Sequence, residues 1–290
     1  MTNKLKDIVA FFKKELKEYY PDNEIDAITA EVFDHCFKIN RQHIALYPNE
    51  LLSESQIVQL IKLLKRLKTY EPLQYIIGYT DFLDLKIKVN PSVLIPRPET
   101  EELVLWIEKE LKKGRVEEAS ILDIGTGSGC IALALAQKLP GVSVSGFDKY
   151  QEAIDVAIEN AKLNSLTVNF FVNDLLSISH DDPLLYEQWD IWVSNPPYVT
   201  LSEKKQMHDN VLKYEPLDAL FVKNDEALIF YERISTLAQK ALKPGGKLFF
   251  EINEHKGQAV RKLLEDKDFS NVTIKRDIHE KERFVKAVKY

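Results

Sequence analysis

The chain has 290 residues, 45% hydrophobic and 29% charged, and this ordinary globular composition excludes a disordered or collagen-like protein. No apolar run approaches the ~20 residues that a membrane-spanning helix needs, and charges throughout the first twenty residues argue against a signal peptide. The 39 Lys and Arg and 45 Asp and Glu give a net charge of −6, which argues against a nucleic-acid substrate because binding to many phosphates needs a basic surface.

Three segments of different character follow one another along the chain. Residues 1–72 contain helical apolar stripes and no glycine, which predicts a small helical bundle. Its clearest helix start is Ser53 with Gln56 three residues later, a capping-box pattern. Residues 73–98 combine alternating residues with three prolines and predict a connector with short strands.

Residues 99–290 alternate between helix and strand patterns, which predicts an α/β domain with a mainly parallel sheet and helices on both faces. The predicted strands are 119–125, 142–148, 169–174, 190–195, 245–253, 271–276 and 283–289. The predicted helices are 99–113, 130–139, 151–164, 226–242 and 255–266.

The sharpest local signal is the glycine loop at residues 123–129, Asp-Ile-Gly-Thr-Gly-Ser-Gly, between a predicted strand and a predicted helix. Alternate glycines allow a tight turn and let a ligand approach the backbone beside a helix N-terminus. The loop departs from the dinucleotide fingerprint because position 130 is Cys, and from the P-loop because no Gly-Lys-Ser/Thr follows. A purely structural turn is the alternative.

Two acidic residues end the next two predicted strands. Asp148 is placed to accept hydrogen bonds from the hydroxyls of a ribose. Asp174 lies at the same edge of the sheet, where it suits an adenine amino group. Either residue alone could cap the helix that follows it. Beside the glycine loop, the pair indicates a nucleoside pocket without a pyrophosphate cradle, which fits S-adenosylmethionine better than NAD.

The fourth predicted strand ends in the tetrapeptide Asn195-Pro196-Pro197-Tyr198. A residue before proline is kept out of the helical region, and prolines lack N–H donors, so that the loop is rigid and rich in acceptors. A planar NH2 group could donate to the Asn195 side-chain oxygen and to the Pro196 carbonyl while Tyr198 stacks on its flat face. A plain proline turn is the alternative, but ligands bind where strands of such sheets end.

The glycine loop together with the tetrapeptide resembles S-adenosylmethionine-dependent N-methyltransferases that modify amino groups conjugated to a π system. Within that class, the whole chain resembles the peptide chain release factor glutamine N5-methyltransferases. Residues 97–101, Arg-Pro-Glu-Thr-Glu, discriminate best, because DNA adenine methyltransferases share the tetrapeptide but not this stretch. The segments that carry the likeness are 71–78, 94–102, 193–198, 215–220 and 244–252.

This resemblance implies a Rossmann-like methyltransferase sheet, mostly parallel with an antiparallel last strand. It also implies S-adenosylmethionine as cofactor and methylation of the glutamine in the Gly-Gly-Gln motif of release factors, which tunes translation termination. The implied domains are a substrate-docking bundle at 1–72, a connector at 73–98 and a catalytic domain at 99–290. One departure is residues 221–225, Phe-Val-Lys-Asn-Asp, where the family commonly has a glycine pair.

The resemblance also assigns site residues. Asn195, Pro196 and Tyr198 are the implied catalytic residues, and with Pro197 they hold the glutamine amide. The implied cofactor-binding residues are Gly125, Thr126, Gly127, Ser128, Gly129, Asp148, Asp174, Leu175 and Asn195.

Two other functions are compatible with these motifs. A DNA adenine or ribosomal RNA N-methyltransferase uses the same tetrapeptide but needs a basic target-recognition region. A nucleoside-binding or assembly protein would have a dead site, against which the intact motifs argue. We expect release factors as partners, no direct DNA binding, no membrane association and a monomer.

The histidines and cysteines indicate no further chemistry. The six histidines show no paired metal spacing, and we predict no metal. Cys36 and Cys130 cannot form a disulfide framework, which fits a reducing cytoplasm. We expect both to be small packed residues rather than nucleophiles.

Overall fold

The computed structural model describes residues 2–114 and 118–290. They form two compact units, one containing residues up to Tyr79 together with His208–Tyr214, and the other containing Thr80–Met207 and Glu215–Tyr290. No helix in the described parts of the chain is long and apolar enough to cross a membrane.

Eleven α-helices and eleven strands lie within the described residues. The helices are α1 (Leu5–Leu16), α2 (Asp22–Phe37), α3 (Arg41–Leu46), α4 (Glu54–Leu67), α5 (Leu73–Ile77), α6 (Pro98–Gly114), α7 (Cys130–Lys138), α8 (Gln151–Leu163), α9 (Asp209–Tyr214), α10 (Ile229–Ala241) and α11 (Gly257–Glu265). The strands are β1 (Tyr79–Phe82), β2 (Leu85–Lys88), β3 (Ser120–Ile124), β4 (Ser143–Asp148), β5 (Asn169–Val172), β6 (Trp189–Ser194), β7 (Val199–Thr200), β8 (Phe221–Val222), β9 (Leu242–Glu251), β10 (Phe269–Arg276) and β11 (Glu282–Lys289).

The first unit is a helical bundle, as its apolar stripes predict. Phe12 of α1 is fully buried, and its ring meets Phe33 of α2 edge to face at a centroid distance of 5.8 Å. The predicted capping box at the start of α4 is present, since Ser53 and Gln56 each accept a hydrogen bond from the other's backbone N–H. These local features place apolar side chains inside the bundle and polar ones outside it.

The first unit is larger than the bundle predicted at residues 1–72. It includes α5, which lies in the predicted connector, and α9 from far along the chain. The Tyr214 hydroxyl at the end of α9 donates to the backbone carbonyl of Thr69 at 3.0 Å. This long-range bond joins a distant segment to the unit, and no local pattern predicts it. In the connector, β1 and β2 pair as a two-stranded sheet.

The second unit is built around a seven-stranded sheet with the order β10-β11-β9-β6-β3-β4-β5. The pairs β9–β6, β6–β3, β3–β4 and β4–β5 are parallel, and β11 is antiparallel to both of its neighbours. This is the predicted fold class, with the last strand antiparallel. Trp189 and Trp192 of β6 are buried in the hydrophobic core of this unit.

The strand register places the predicted motifs side by side. Ile124 at the end of β3 pairs with Phe147 of β4 and with Ser194 of β6. Because these three strands are parallel, their carboxyl ends lie at one edge of the sheet. The glycine loop, Asp148 and Asn195 therefore start from adjacent strand ends, although they lie far apart in sequence.

Candidate active site

A cavity of about 390 Å³ opens where β3, β4, β5 and β6 end, a volume within the range of small-molecule sites. Of the residues predicted to form the site, Gly129 and Tyr198 are the two outside its lining. The predicted residues that line the cavity are Gly125, Thr126, Gly127, Ser128, Asp148, Asp174, Leu175, Asn195, Pro196 and Pro197.

The backbone of the glycine loop suits close approach of a ligand. Gly125 and Gly127 have φ values of 72° and 53°, a region that L side chains rarely adopt. A Cβ built on either glycine would meet no atom within 4 Å, so that it would project into open space at the cavity wall. The N–H groups of Gly125 and Thr126 donate to the Phe147 carbonyl at 2.9 Å, which fixes the loop against β4.

Gly129 is closely packed and lies outside the cavity lining. Its φ is 79°, and a Cβ there would lie 2.9 Å from Phe170 Cζ and 3.1 Å from Ala157 Cβ. The missing side chain therefore lets the start of α7 pack against α8 and β5. Packing therefore accounts for a glycine at this position, and binding of a cofactor by Gly129 stays a prediction.

Asp148 is held in place by the loop it faces. Its Oδ2 accepts from the Gly127 N–H at 2.9 Å, and its Oδ1 accepts from the Tyr150 N–H at 3.2 Å. Burial raises the pKa of this carboxyl, and these backbone hydrogen bonds oppose the rise. A carboxylate oxygen has several acceptor sites, so that these bonds leave capacity for ribose hydroxyls.

Asp174 caps the turn that follows it and also lines the cavity. Its Oδ1 accepts from the Leu176 N–H and its Oδ2 from the Ser177 hydroxyl, both at 3.1 Å. It therefore caps the turn after β5. Asp174 and Leu175 also line the cavity, so that capping fixes the carboxylate at the cavity wall rather than competing with ligand binding.

Asp123, the first residue of the motif, lies fully buried beneath the loop rather than in the cavity lining. Its Oδ2 accepts from the Thr126 hydroxyl at 2.6 Å. Burial raises the pKa of Asp123 from its ordinary value of 3.8 to about 7, and the nearby charge of Asp148 adds to the rise. The folded protein therefore holds a proton on Asp123 at pH values where the unfolded chain has lost it.

This raised pKa predicts a pH-dependent stability. Between pH 4 and pH 7 the folded state binds more protons at Asp123 than the unfolded state, so that stability falls as the pH rises through this window. Asp123→Asn mimics the protonated carboxyl and removes this dependence. We expect urea unfolding at pH 5, 6 and 7 to show a difference between the two proteins that changes by on the order of 1 kcal/mol per pH unit. Parallel stability profiles would contradict the assignment; Asp155→Asn, on the exposed face of α8, is the control.

The tetrapeptide follows directly from the end of β6. The Ser194 hydroxyl donates to the Ile124 carbonyl at 2.7 Å, which ties the end of β6 to the end of β3. Asn195, Pro196 and Pro197 then line the cavity. The Asn195 amide nitrogen Nδ2 donates to Thr100 Oγ1 at 3.3 Å. The glycine loop and the acceptor-rich tetrapeptide therefore share one cavity.

Tyr198, the last residue of the tetrapeptide, lies outside the cavity lining. Its hydroxyl donates to Glu251 Oε1 at 3.0 Å, and its ring packs against the core of the second unit. Burial raises the pKa of Tyr198 well above its usual range, so that the hydroxyl stays protonated. Stacking of this ring on a bound acceptor stays a prediction.

Two segments to which the sequence assigned no function meet beside the cavity. The Arg97 guanidinium lies 2.7 Å from Glu215 Oε1, and the Ile95 N–H donates to Glu215 Oε2 at 3.2 Å. The Glu215 side chain is 1% exposed, whereas Arg97 reaches the cavity. The buried carboxylate therefore joins the segment 94–102 to the segment 215–220, both of which contribute to the cavity wall.

One of residues 221–225, where the chain departs from the family pattern, reaches the cavity. Phe221 and Val222 make up β8, which pairs in parallel with β7 directly after the tetrapeptide. Phe221 lines the cavity, as does Asp218, whose carboxylate accepts from the Tyr150 hydroxyl. The segment that departs from the family pattern is therefore paired with the strand that follows the tetrapeptide.

The cysteines are packed rather than catalytic. Cys130 is buried at the start of α7, and burial raises the pKa of its thiol to about 12. Burial also raises the pKa of the half-buried Cys36. Thiols that stay protonated are poor nucleophiles. Across residues 2–114 and 118–290, no three His, Cys, Asp or Glu side chains come together as a metal site.

Known protein families and relatives match nearly the whole chain. Residues 103–214 match the family described as "Methyltransferase small domain", and residues 7–78 match the "PrmC N-terminal domain". A release factor glutamine methyltransferase of Flavobacterium psychrophilum is 42% identical over 95% of this chain and 96% of its own length. The protein of the same name from Bacteroides thetaiotaomicron is 39% identical over 97% of this chain and 98% of its own length.

Solved structures show the same fold at lower identity. A methyltransferase from Pyrococcus furiosus superimposes with a TM-score of 0.52 at 16% identity, covering 82% of this chain and 99% of that one. The Thermus thermophilus 16S rRNA N2 G1207 methyltransferase, solved with AdoMet and guanosine, gives a TM-score of 0.50 at 20% identity over 73% of this chain and 50% of that one.

The sheet, the cavity at its carboxyl edge and these matches together define an S-adenosylmethionine-dependent methyltransferase with a Rossmann-like fold. Sequence identity of about 40% over nearly the full length defines a narrower family than the fold alone does. The chain belongs to the release factor glutamine methyltransferase family. The family resemblance, the fold class and the enzyme class predicted from the sequence are thereby confirmed.

Proposed function

We propose that the protein transfers a methyl group from S-adenosylmethionine to the side-chain amide nitrogen of the glutamine in the Gly-Gly-Gln motif of peptide chain release factors, and so tunes translation termination. The observation that carries the proposal is that the Asn195-Pro196-Pro197 corner lines the same cavity as the glycine loop. Membership of the release factor glutamine methyltransferase family supports the choice of substrate. The same relatives do not favour a DNA adenine or ribosomal RNA substrate.

The cavity residues fit S-adenosylmethionine without a pyrophosphate cradle. Gly125 and Gly127 leave open space where a Cβ would project, which suits the methionine end of the cofactor. We assign Asp148 to the ribose hydroxyls and Asp174 with Leu175 to the adenine, since all three residues line the cavity. When bound, the cofactor supplies an electrophilic methyl group on a sulfonium.

The tetrapeptide provides acceptors for a carboxamide. With Asn195 Nδ2 bound to Thr100, Oδ1 is the end of the side chain left to accept a hydrogen from the glutamine NH2. The Pro196 carbonyl accepts the second hydrogen. These two bonds orient the nitrogen and favour a more pyramidal geometry, which frees the lone pair that the amide otherwise delocalises into its carbonyl.

No strong base is required at this site. The amide nitrogen becomes acidic once it carries the additional methyl group, and its proton can pass to Asn195 Oδ1, to the Pro196 carbonyl or to water. The contribution of the protein is therefore the fixed position of two acceptors. A rigid corner holds this position because two prolines restrict its backbone.

Mass spectrometry of a purified bacterial release factor tests the proposal. After incubation with the protein and S-adenosylmethionine, we expect the peptide containing Gly-Gly-Gln to gain the mass of one CH2 group, located on the glutamine side chain. Purified ribosomal RNA and DNA serve as competing substrates. Methyl transfer to either nucleic acid in preference to the release factor would replace this function with the alternative one.

We further propose that the helical unit docks the release factor. Three apolar side chains at and just beyond the end of α3 are largely exposed: Leu46 at 71%, Tyr47 at 56% and Leu51 at 67%. Exposed apolar residues close together in sequence are a common feature of protein interfaces. The patch lies within residues 7–78, which match the PrmC N-terminal domain.

Polar replacement at this patch should weaken substrate binding without affecting chemistry. For the Leu46→Ser/Leu51→Ser double variant we expect the KM for intact release factor to rise about 10-fold, as for loss of a typical interface anchor. Methylation of a short Gly-Gly-Gln peptide should not change. Ile278→Ser, which alters a side chain that is 72% exposed in the second unit, is the matched control. An unchanged KM in the double variant would leave the helical unit with a purely structural role.

Three further properties are proposed on the same basis. We take the protein to be a monomer that acts in the cytoplasm, where release factors work. We also take it not to bind DNA directly, since its net charge of −6 opposes binding to a polyanion.

A further inference from the structure

The Asn195 side chain is held by hydrogen bonds that the tetrapeptide motif does not reveal. Its Nδ2 donates to Thr100 Oγ1 at 3.3 Å, and the Thr100 hydroxyl donates to Glu251 Oε2 at 2.7 Å. The other oxygen of the same carboxylate, Oε1, accepts from the Tyr198 hydroxyl at 3.0 Å. Thr100 and Glu251 are 2% and 1% exposed, so that water does not compete for these bonds.

The direction of these bonds determines which end of the asparagine faces Thr100. A hydroxyl has one proton, and Thr100 gives its proton to Glu251. Only lone pairs remain on Thr100 Oγ1, and they can accept from Nδ2 but cannot donate to Oδ1. The flipped amide would bring two acceptor oxygens together and lose the hydrogen bond.

This orientation matters for the substrate. A glutamine NH2 group presents two donors, and it needs acceptors at the cavity wall. A flipped Asn195 would present its own NH2 there, so that donors would face donors. We propose that Thr100 and Glu251 are positioning residues that orient the Asn195 amide so that Oδ1 accepts from the substrate. The inference rests on the proposed transfer to a glutamine amide.

The hydrogen bonds that enter Glu251 set the direction of this arrangement. Glu251 ends β9, next to the end of β6, since Ser194 pairs with Phe250. Burial raises its pKa, and the hydrogen bonds from Thr100 and Tyr198 and the positive charge of Arg283 oppose the rise. Both hydroxyls donate to the Glu251 oxygens, which act as acceptors. A glutamine at this position could donate to Thr100 and would remove the constraint.

Three substitutions test the Thr100 hydroxyl and the Glu251 charge while the side chains keep nearly the same size. Thr100→Val keeps the shape but lacks the hydroxyl, Thr100→Ser keeps the hydroxyl, and Glu251→Gln keeps the shape but lacks the charge. With intact release factor as substrate, we expect kcat to fall about 10- to 100-fold in Thr100→Val and Glu251→Gln. Thr100→Ser should restore kcat to within about 3-fold of the natural protein. The Kd for S-adenosylmethionine should stay within about 2-fold in all three variants.

A double-mutant cycle with Asn195→Ala distinguishes orientation of Asn195 from general support of the fold. Once the asparagine amide is absent, Thr100→Val should cost less than about 2-fold more in kcat. Thr29→Val is the matched control, because Thr29 is a buried threonine of the first unit that donates to a backbone carbonyl. This control should leave kcat unchanged in both backgrounds.

Different outcomes would overturn the positioning role and the proposed function. Equal losses from Thr100→Val in the natural and the Asn195→Ala backgrounds, or a Thr100→Ser variant as impaired as Thr100→Val, would overturn the positioning role while the natural protein remains active. Absence of methylation by the natural protein itself would instead overturn the proposed function, and this inference with it. Should Thr100→Val not fold, as judged by circular dichroism, Glu251→Gln in the same two backgrounds provides the same comparison.

Discussion

Asn195→Ala is expected to lower kcat for release factor methylation about 100- to 1000-fold, the loss typical of removing one preorganised polar group from a reaction centre. The substitution removes the Oδ1 acceptor at the wall where we propose that the glutamine amide binds, and leaves the Pro196 carbonyl as the remaining proposed acceptor. Steady-state kinetics with saturating S-adenosylmethionine measure kcat. Isothermal titration measures the Kd for the cofactor, which should change less than about 3-fold.

Two further variants test the position of the acceptor and provide a control. Asn195→Gln keeps the amide but shifts it by one methylene, so that a strong loss of kcat there would show that the position of the acceptor matters and not only its presence. Asn23→Ala, at an exposed position in the first turn of α2, should behave like the natural protein. Equal losses of turnover and cofactor affinity in Asn195→Ala would contradict the assignment of this residue to the methyl acceptor.

Asp148→Ala should produce the opposite pattern. Two charge-assisted hydrogen bonds to ribose hydroxyls, each contributing about 1.5 kcal/mol, correspond to a rise of about 100-fold in the Kd for S-adenosylmethionine. The Gly127 N–H also loses the acceptor that now fixes it. At saturating cofactor, kcat should recover to within about 10-fold of the natural value.

The control for this prediction is Asp155→Ala. Asp155 is a neighbouring carboxylate that lies exposed on α8 and accepts from Gln151. Its removal changes the net charge by the same amount but should leave the Kd unaltered. A rise in Kd of similar size in both variants would mean that overall charge, rather than a contact with the ribose, governs cofactor binding.

The backbone of the glycine loop and the edge of the sheet where the cavity lies could be predicted from the sequence. Glycines at alternate positions after a buried strand imply a particular turn, and Gly125 and Gly127 adopt it. An acid at the end of each following strand implies a common edge, because parallel strands end together, and Asp148 and Asp174 both line the cavity there. Both features depend on near neighbours in sequence and on one general rule of α/β sheets, whereas the cofactor contacts of these residues stay predictions.

The packing partners of Gly129 and Tyr198 could not be predicted in this way. Gly129 follows the glycine pattern, yet the space that a Cβ would need is occupied by Phe170 and Ala157, which approach from β5 and α8. Tyr198 belongs to the tetrapeptide, yet its hydroxyl binds Glu251. In both cases the partner comes from another element, and its identity depends on how the elements pack.

The sequence by itself thus determined the kind of fold, the two motifs and the edge of the sheet where they meet, since hydrophobic periodicity and turn chemistry act over a few residues. Tertiary structure alone decided that Thr100 and Glu251, 151 positions apart, meet beside Asn195. It also decided that Glu215 pairs with Arg97 across 118 positions. Such contacts depend on strand order and register, which are set when distant apolar faces pack together and which no local pattern encodes.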